Sequence, residues 1–431
     1  MEMLFSLFCA IQLVLFPHLE SRVGKLSDRD QEFVRVVELA RIDDHLGRYR
    51  WTGIGRKPKD RKAIALAFIA KSVYKYSDTR MLIENLKSNN TLRQLCGWVE
   101  PEDVPSESCF SRAFAQFSAG KLPELVHEAM VRACFKDQIV EHISRDSTAI
   151  NAREKRAKAP ADLPENAADA EPGRTEGQEL SLEPTADKAT RDGRRASAPL
   201  PTQPIDVLLA DVRERIQQSA AGHQVDGCGG KSKGKKRGGT AKKRKKPSAK
   251  EPKRLDLQGE RSLVENLADL PRLCDSGGKR NSKGHTSYWI GYKLHIDSAD
   301  GDIPISAVLT SASVHDSQVA IPLTQMTNDR VAYLYEVSDS AYDAQKIKEF
   351  STSTGHVPIT DSNKRTGDSV PMDPAHQVRY RARSGSERVN SNLLDNLGGR
   401  NVRVRGPEKV MTHLMFGIVA LTAMQLFKLV V

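Results

Sequence analysis

The sequence predicts an α/β fold, a mixed β-sheet flanked by helices, which is preceded by an all-helical N-terminal domain and carries a long disordered insertion. Three observations support this fold class. Apolar residues recur at helical spacing up to about residue 139, β-prone and helical runs alternate after residue 272, and residues 156–271 have a low-complexity composition. At 431 residues the chain is long enough for about two or three domains with a sizeable core.

Residues 1–139 are predicted to form the helical N-terminal region. The runs RKAIALAFIAKSVYKY and KLPELVHEAMVRACF repeat apolar residues every three or four positions, as an amphipathic helix does. Such a compact helical module can be helix-turn-helix-like. The opening run MEMLFSLFCAIQLVLFP is apolar but lacks the basic residues that begin a secretory signal. We therefore interpret it as a buried helix.

The closing run HLMFGIVALTAMQLFKLVV is nearly long enough to span a bilayer, but Gln425 and Lys428 interrupt it. Because the mean hydropathy of the chain is −0.50, a core helix is the better interpretation, and we expect no contact with a membrane. The six cysteines show neither paired spacing nor a CxxC motif, which indicates neither a disulfide framework nor a zinc site. A reducing, cytoplasmic compartment fits this pattern.

The α/β core is predicted to comprise residues 140–155 and 272–431. Its first strand lies in VEHISRDSTAI and contains Asp146. Two further strands surround a turn in SYWIGYKLHIDSADGDIPISAVLTSAS. A helix, a strand ending on Asp339, a second helix, a short strand and a third helix that carries Glu387 follow in order. This order predicts a mixed sheet covered by helices.

Residues 156–271 are predicted to be a low-complexity, basic insertion. Lys231 to Arg254 include 13 basic residues and one acid, a local charge of +12 in a chain of net charge +11, so the other residues sum to −1. Without aromatic or large aliphatic residues this run cannot form a core, and we expect it to bind a polyanion such as nucleic acid. The alternative is a solubilising linker. The predicted DNA contacts in its densest part are Lys242, Lys243, Arg244, Lys245 and Lys246.

Three acids stand out by position: Asp146 on the first strand, Asp339 at the end of a later strand, and Glu387 near the start of a helix. Those two strands can be neighbours in a mixed sheet, and a helix packed across them brings Glu387 close. Three carboxylates without a counterion repel one another, whereas a hard divalent cation removes the conflict. We therefore predict a site for Mg²⁺ or Mn²⁺, with two ions clamping the attacking and leaving oxygens of a phosphoryl transfer.

The segment YRARSGSERVNSNLLDN places Tyr380, Arg383 and Glu387 at offsets of 0, 3 and 7. On a helix these offsets share one face, so the three side chains project into one site. The alternative is a solvent-exposed face on which Arg383 and Glu387 form an i,i+4 ion pair.

These residues carry a resemblance to the DDE transposases of bacterial insertion sequences, whose last motif reads Tyr-x2-Arg-x3-Glu-x6-Lys. Tyr380, Arg383 and Glu387 match it in type and spacing, whereas Leu394 stands where the family usually has a basic residue. The run SRDSTAINAREK resembles the first acidic motif of the family, with Asp146, and SDSAYDAQKI resembles the second, with Asp339. The resemblance covers about residues 45–155 and 270–430.

The resemblance implies an RNase H-like catalytic core and metal-dependent cut-and-paste transposition of double-stranded DNA. Asp146, Asp339 and Glu387 would be catalytic and hold two metal ions, while Tyr380 and Arg383 would position the DNA end. The helical region would bind DNA ends or assemble the complex, a homodimer would bring two ends together, and the protein would act at the bacterial nucleoid. Two alternatives remain: a nuclease of the same fold, and a non-catalytic DNA-binding protein derived from a transposase.

Other polar residues near these motifs have structural interpretations. Asp316 either supports the metal site or caps a helix N-terminus, two roles that the sequence does not separate. Asp343 is expected in the first turn of the next helix, where an acid favours the helix dipole. For His315 we expect a structural hydrogen bond.

Overall fold

The computed structural model describes residues 2–51, 53, 57–157, 253–280, 285–362 and 371–430. The predicted DNA contacts Lys242, Lys243, Arg244, Lys245 and Lys246, and most of the predicted insertion, lie outside these residues. The two parts of the chain that flank the insertion form one compact unit.

Helices dominate the N-terminal part of the chain, as the sequence predicts. Several begin at a polar side chain that accepts a hydrogen bond from the first turn, such as Ser27, Asp60 and Asp78. The helices are α1 (Glu2–Ala10), which continues through a π-helical turn (Ile11–Leu15) into α2 (Phe16–Val23), then α3 (Asp28–Ala40), α4 (Arg61–Val73), α5 (Thr79–Ser88), α6 (Asn90–Leu95), α7 (Glu107–Ala119) and α8 (Leu122–Phe135).

The first helices are not buried as the sequence predicts. Leu4, Ile11 and Phe16 are buried, but Leu13 and Val14 have 75% and 68% of their surfaces exposed. Because this segment is apolar on every side and packs against the core along one face only, its other face remains in contact with solvent. Among the described residues it is one of two segments that are long and apolar enough to span a membrane, and 17% of its apolar window is buried.

The α/β part contains a mixed sheet whose strands alternate with helices, which confirms the predicted fold class. The strands are β1 (Ile139–Asn151), β2 (Asp275–Arg280), β3 (Thr286–Ala299), β4 (Ile303–Ser311), β5 (Ala332–Ser338) and β6 (Val357–Thr360). The helices are α9 (Arg254–Gln258), α10 (Leu263–Asp269), α11 (Ser317–Asn328), α12 (Gln345–Ser353), α13 (Pro374–Tyr380), α14 (Ser384–Asn396) and α15 (Pro407–Lys428).

The order of strands places β1 in the middle of the sheet. β3 pairs with β1 and with β4 in antiparallel orientation, and β5 and β6 continue the sheet in parallel orientation on the other side of β1. β2 pairs with the first part of β3. The sequence analysis missed β2, because its DSGGKR sequence has neither alternation nor β-branched residues. The predicted adjacency of the strands that carry Asp146 and Asp339 is confirmed.

The helices α9 and α10 lie within residues 156–271, where the sequence analysis predicts disorder. Leu267 and Leu270 pack against Val319 and Leu323 of α11. A few leucines in a polar segment are therefore enough to bind these short helices to the core.

The closing helix α15 is the central core helix of the compact unit. Although it is one of the two segments apolar enough to span a membrane, 89% of its apolar window is buried. It packs against α3, α4, α7 and α8 as well as β4. The interpretation of this run as a core helix is confirmed.

A buried ion cluster joins the three central strands next to Asp146. The Arg145 guanidinium donates to both carboxylate oxygens of Asp297 at 2.7 and 2.8 Å, to Thr324 Oγ1 at 3.0 Å and to Glu336. Burial alone would lower the pKa of Arg145, but Asp297 and Glu336 outweigh it and raise that pKa well above its ordinary value. This cluster ties β1 to β3 and β5 and so fixes the strand position from which Asp146 projects.

Candidate active site

Asp146 and Asp339 are neighbours across the parallel strands β1 and β5. The register pairs Arg145 with Ser338, and each acid is the next residue along its strand. Asp339 follows the last residue of β5 and accepts a hydrogen bond from the Ala341 amide at 2.9 Å, which holds its side chain at the start of a 3₁₀ turn. The carboxyl ends of parallel strands are a common place for catalytic groups.

Burial changes the protonation of both carboxyl groups. It raises the pKa of Asp146 and the pKa of Asp339 above the ordinary value. Lys279 and Arg383 oppose this rise at Asp339, and Lys279 also opposes it at Asp146. The two acids are therefore partly desolvated groups beside cations, an arrangement typical of functional sites.

The residues Tyr380, Arg383 and Glu387 lie together, but not on one regular helix. α13 ends at Tyr380, a 3₁₀ turn spans Arg381–Arg383, and α14 carries Glu387 in its first turn. Arg383 donates to Glu387 Oε1 from both terminal nitrogens, at 2.7 and 2.8 Å. Burial would lower the pKa of Arg383, but Tyr380 and Glu387, followed by Asp146 and Asp339, outweigh it and raise that pKa.

The start of α14 is fixed directly on β1. Ser144 Oγ donates to the Arg383 carbonyl and accepts from the Ser386 amide, both at 3.3 Å. One turn further along, Asn390 Nδ2 donates to Asp146 Oδ2 at 3.0 Å. The sequence analysis missed Asn390, although its spacing of three residues from Glu387 places it on a neighbouring part of the same helix face.

Asp316 lies near the two strand acids and is not a helix cap. Its side chain makes no capping hydrogen bond to α11. It instead pairs with Lys293 at 3.0 Å, while His295 Nδ1 lies 3.8 Å away. Burial would raise the pKa of Asp316, but His295 and Lys293 outweigh it and lower that pKa. Asp316 is close enough to Asp339 to raise the pKa of that acid.

The other two polar residues have local roles. Asp343 precedes α12 and pairs with Lys348 at 2.7 Å. His315 Nδ1 lies 2.8 Å from Ser317 Oγ, as expected for a structural hydrogen bond. Leu394 is partly buried and packs against the main core. Position 394 therefore faces the protein interior on α14.

The chemistry of the site fits a hard cation. No group of three or more His, Cys, Asp or Glu side chains in the described part of the chain is placed to hold a metal ion. Asp146 and Asp339 nevertheless offer carboxylate oxygens on adjacent strands. Beside them the buried Asn390 Oδ1 has no hydrogen-bond partner. Oxygen donors of this kind suit Mg²⁺ or Mn²⁺, with water or phosphate completing the coordination.

Two family models match the chain on either side of the predicted insertion. A transposase DDE domain matches residues 258–423, and a transposase domain (DUF772) matches residues 18–116. The chain belongs to the DDE transposase family. No curated protein and no solved structure matches it. The transposase thus combines a family-specific helical region with the domain after which the family is named.

The matched segments of the transposase contain most of the site. Asp316, Asp339 and Glu387 lie within the DDE-domain match, and so does Asn390. Asp146 precedes that match on β1, and the insertion separates the two segments in sequence. The family acts on DNA and generally uses a divalent metal, which agrees with the oxygen donors found at this edge of the sheet.

Proposed function

We propose that the transposase catalyses cut-and-paste transposition. It hydrolyses the phosphodiester at terminal inverted repeats and then transfers the freed 3′-hydroxyl to target DNA. The observation that carries this proposal is that Asp146 on β1 and Asp339 directly after β5 are neighbours across adjacent parallel strands, and that both acids, like Glu387, act on the pKa of Arg383.

We assign the catalytic role to Asp146, Asp339 and Glu387, which would hold Mg²⁺ or Mn²⁺, two ions in the complete site. Such ions activate the attacking oxygen and stabilise the leaving oxygen of an in-line displacement. Asn390 orients the Asp146 carboxylate through its hydrogen bond at 3.0 Å. Glu387, with 56% of its side chain exposed, is free to turn towards the strand acids when Arg383 releases it.

Arg383 is proposed to exchange its protein partner for DNA. It binds Glu387 through two nitrogens, and the same planar fork fits a phosphate. Contact with a DNA phosphate would replace the Glu387 ion pair and so couple DNA binding to release of the third acid. Tyr380, which hydrogen-bonds Arg383, would keep the guanidinium facing the substrate.

The partners of this reaction are duplex DNA and a second copy of the transposase. The basic residues Lys242, Lys243, Arg244, Lys245 and Lys246 would add sequence-independent phosphate contacts. A homodimer is proposed because transposition must join two ends in one complex. We propose residues 1–139 for DNA-end binding or assembly, residues 140–155 and 272–431 as an RNase H-like catalytic core, and residues 156–271 as an insertion; the protein would act in the cytoplasm.

Two alternative functions remain, one catalytic with the same acidic site and one that binds DNA without catalysis. A nuclease of this fold would cut the repeat and never join it to target DNA. A non-catalytic DNA-binding descendant would bind the repeat without cutting, and the apolar Leu394 in place of a basic residue is the feature that favours it.

The test is cleavage and strand transfer of a labelled duplex that carries the terminal repeat of the element, with Mg²⁺ or Mn²⁺. Wild type is compared with Glu387→Gln and with Asp395→Asn, which changes another exposed acid of α14 that pairs with Arg400. We expect cutting and joining in wild type and Asp395→Asn, and loss of both in Glu387→Gln by at least about 100-fold. Cutting by Glu387→Gln at the wild-type rate would remove Glu387 from the mechanism.

A further inference from the structure

A cavity of about 640 Å³ lies apart from the acidic site. Its walls come from α4, α5 and α7 of the helical region, from α15, and from two segments of irregular chain, one after β1 and one before α15. The second segment contains Arg403 and Arg405, and Arg153 belongs to the first. We call this space the basic cavity. The basic cavity lies between the segment matched by the DUF772 family model and the α/β part of the chain.

The lining of the basic cavity carries a strong positive charge. Six basic side chains face two acids there, Asp78 and Glu107. The six are Lys71, Arg80, Arg153, Arg403, Arg405 and Lys409. Of these only Arg80 pairs with an acid of the described residues, Glu107, at 3.7 Å. The other five cations have no ion pair within that part of the chain, and so their charges are available to an anion.

Lys71 is the most informative of these cations. Only 7% of the Lys71 surface is exposed, and the nearby acid that acts on its ammonium is Asp78, which also lines the cavity. Burial lowers the pKa of Lys71 to about 8, so the side chain still carries a proton at neutral pH. A buried lysine that makes no close ion pair is costly, and a bound anion beside it would offset that cost. The position of Lys71 at the cavity therefore indicates an anionic ligand.

Hydrogen bonds of Glu154 fix the backbone next to two of the cavity arginines, Arg153 and Arg405. The Glu154 carboxylate accepts hydrogen bonds from Tyr292 and from the Gly406 amide, at 3.1 Å for the closer contact to Gly406. This contact ties the chain after β1 to the chain before α15. Arg153 precedes Glu154, and Arg405 precedes Gly406, so the tie brings both arginines to one wall.

The cavity is distinct from the acidic site. Arg153 lies seven residues after Asp146 along a strand that continues to Asn151. At about 3.3 Å per residue this corresponds to roughly 20 Å. Phe68, Phe114 and Phe416 form an apolar wall beside the cations. An anion bound here would therefore belong to a remote part of a large substrate or to a separate small molecule.

We propose that the basic cavity binds neighbouring backbone phosphates of the DNA whose cleavage is assigned above to Asp146 and Asp339. This inference rests on the proposed function for the identity of the substrate. The shared chemistry is a phosphate group, and a free nucleotide is the other source of it. DNA is favoured because the cations line a cleft shared by the helical region and the α/β part, where one long polyanion contacts both.

The test is the salt dependence of duplex binding in EDTA, where the assigned cleavage chemistry does not operate. The probe is a fluorescein-labelled 30-base-pair duplex carrying the terminal repeat, and free ATP is the competitor. The variant is Arg403→Gln with Arg405→Gln, and the control is Arg22→Gln with Arg41→Gln, two exposed arginines of the helical region. Circular dichroism checks the fold of each, and Arg153→Gln provides an independent second variant.

The expected result is a fall of about 1.8 in the magnitude of the slope of log Kd against log salt for the double variant, about 0.9 for each lost phosphate contact, and no change for the control. Arg153→Gln should lower the slope by about 0.9. Unchanged slopes in both variants overturn the proposal. It is also overturned if the variants lose ATP binding while they still bind the duplex as wild type does. Cleavage assays distinguish the cavity proposal from the catalytic assignment. If the variants show the expected fall in slope but wild type cuts no DNA, only the catalytic assignment is refuted.

Discussion

Replacing Arg145 with methionine is expected to destabilise the transposase strongly, because the substitution leaves two carboxylates buried without a cation. Arg145 and Asp297 have fully buried side chains, and Glu336 has 4% of its side chain exposed. The guanidinium makes four hydrogen bonds, three of them to these carboxylates. Methionine fills a similar volume but satisfies none of them.

The magnitude follows from the cost of an unpaired buried charge. Removing one partner of a buried ion pair costs about 3–5 kcal/mol. That is a large share of the roughly 5–15 kcal/mol by which a folded domain is stable. We therefore expect the free energy of unfolding to fall by about 4 kcal/mol, which corresponds to a ratio of folded to unfolded protein about 1,000-fold smaller.

The assay is urea unfolding followed by tryptophan fluorescence at pH 7 and pH 5. In Arg145→Met the pKa of Asp297 should rise further, because Arg145 opposes the effect of burial there, so the variant should regain stability as the pH falls and Asp297 takes up a proton. A triple variant, Arg145→Met with Asp297→Asn and Glu336→Gln, removes both charges and should recover most of the loss. A loss below about 1 kcal/mol, or a triple variant no more stable than the single one, would refute this reasoning.

Three further predictions concern the site and the basic cavity. Asp146→Asn should abolish cleavage yet keep or increase stability at pH 7. A carboxyl group whose pKa is raised in the folded protein makes that protein less stable as the pH rises, and the variant lacks this group. Urea unfolding at pH 4 and pH 7 should therefore show a smaller pH dependence for the variant than for wild type. Asn390→Ala should move Mn²⁺ binding to higher pH, because its hydrogen bond lowers the pKa of Asp146; calorimetric titrations that show no shift would contradict the positioning role. Lys71→Met should weaken duplex binding and should raise the free energy of unfolding at pH 7 by up to about 3 kcal/mol, because burial lowers the pKa of Lys71 from 10.5 to about 8. In urea unfolding, wild type should gain stability between pH 8 and 10.5, whereas the variant should not.

Local patterns were sufficient for most elements of the fold. Apolar residues recur at helical spacing in α4, α8 and α15, and apolar and polar residues alternate in β3 and β4. Neighbouring residues are enough to detect both patterns, because a helix or a strand repeats its own face along the chain. The neighbouring positions of the strands that carry Asp146 and Asp339 also followed from the order of elements. Family motifs added the predicted identity of the acids.

Features that depend on partners distant in sequence could not be predicted. Asp316 has the sequence of a helix cap, yet its environment is decided by Lys293, 23 residues away, and by His295. Asn390 reaches Asp146 across 244 residues of chain. The apolar first helices gave no sign of which face would meet the core, since every face is apolar.

The sequence by itself therefore determined the family, the helices and strands with clear periodic patterns, and the adjacency of the strands that carry Asp146 and Asp339. The sequence also offered the i,i+4 ion pair of Arg383 and Glu387 as one alternative, and the structure contains this pair. Only the tertiary structure decided that Asp316 and Asn390 lie beside the two strand acids and that cations from distant segments line one cavity. The physical reason is the range of the interactions. Secondary structure and motif spacing depend on neighbours along the chain, whereas ion pairs, burial and pKa values depend on whichever groups the fold brings within a few ångströms.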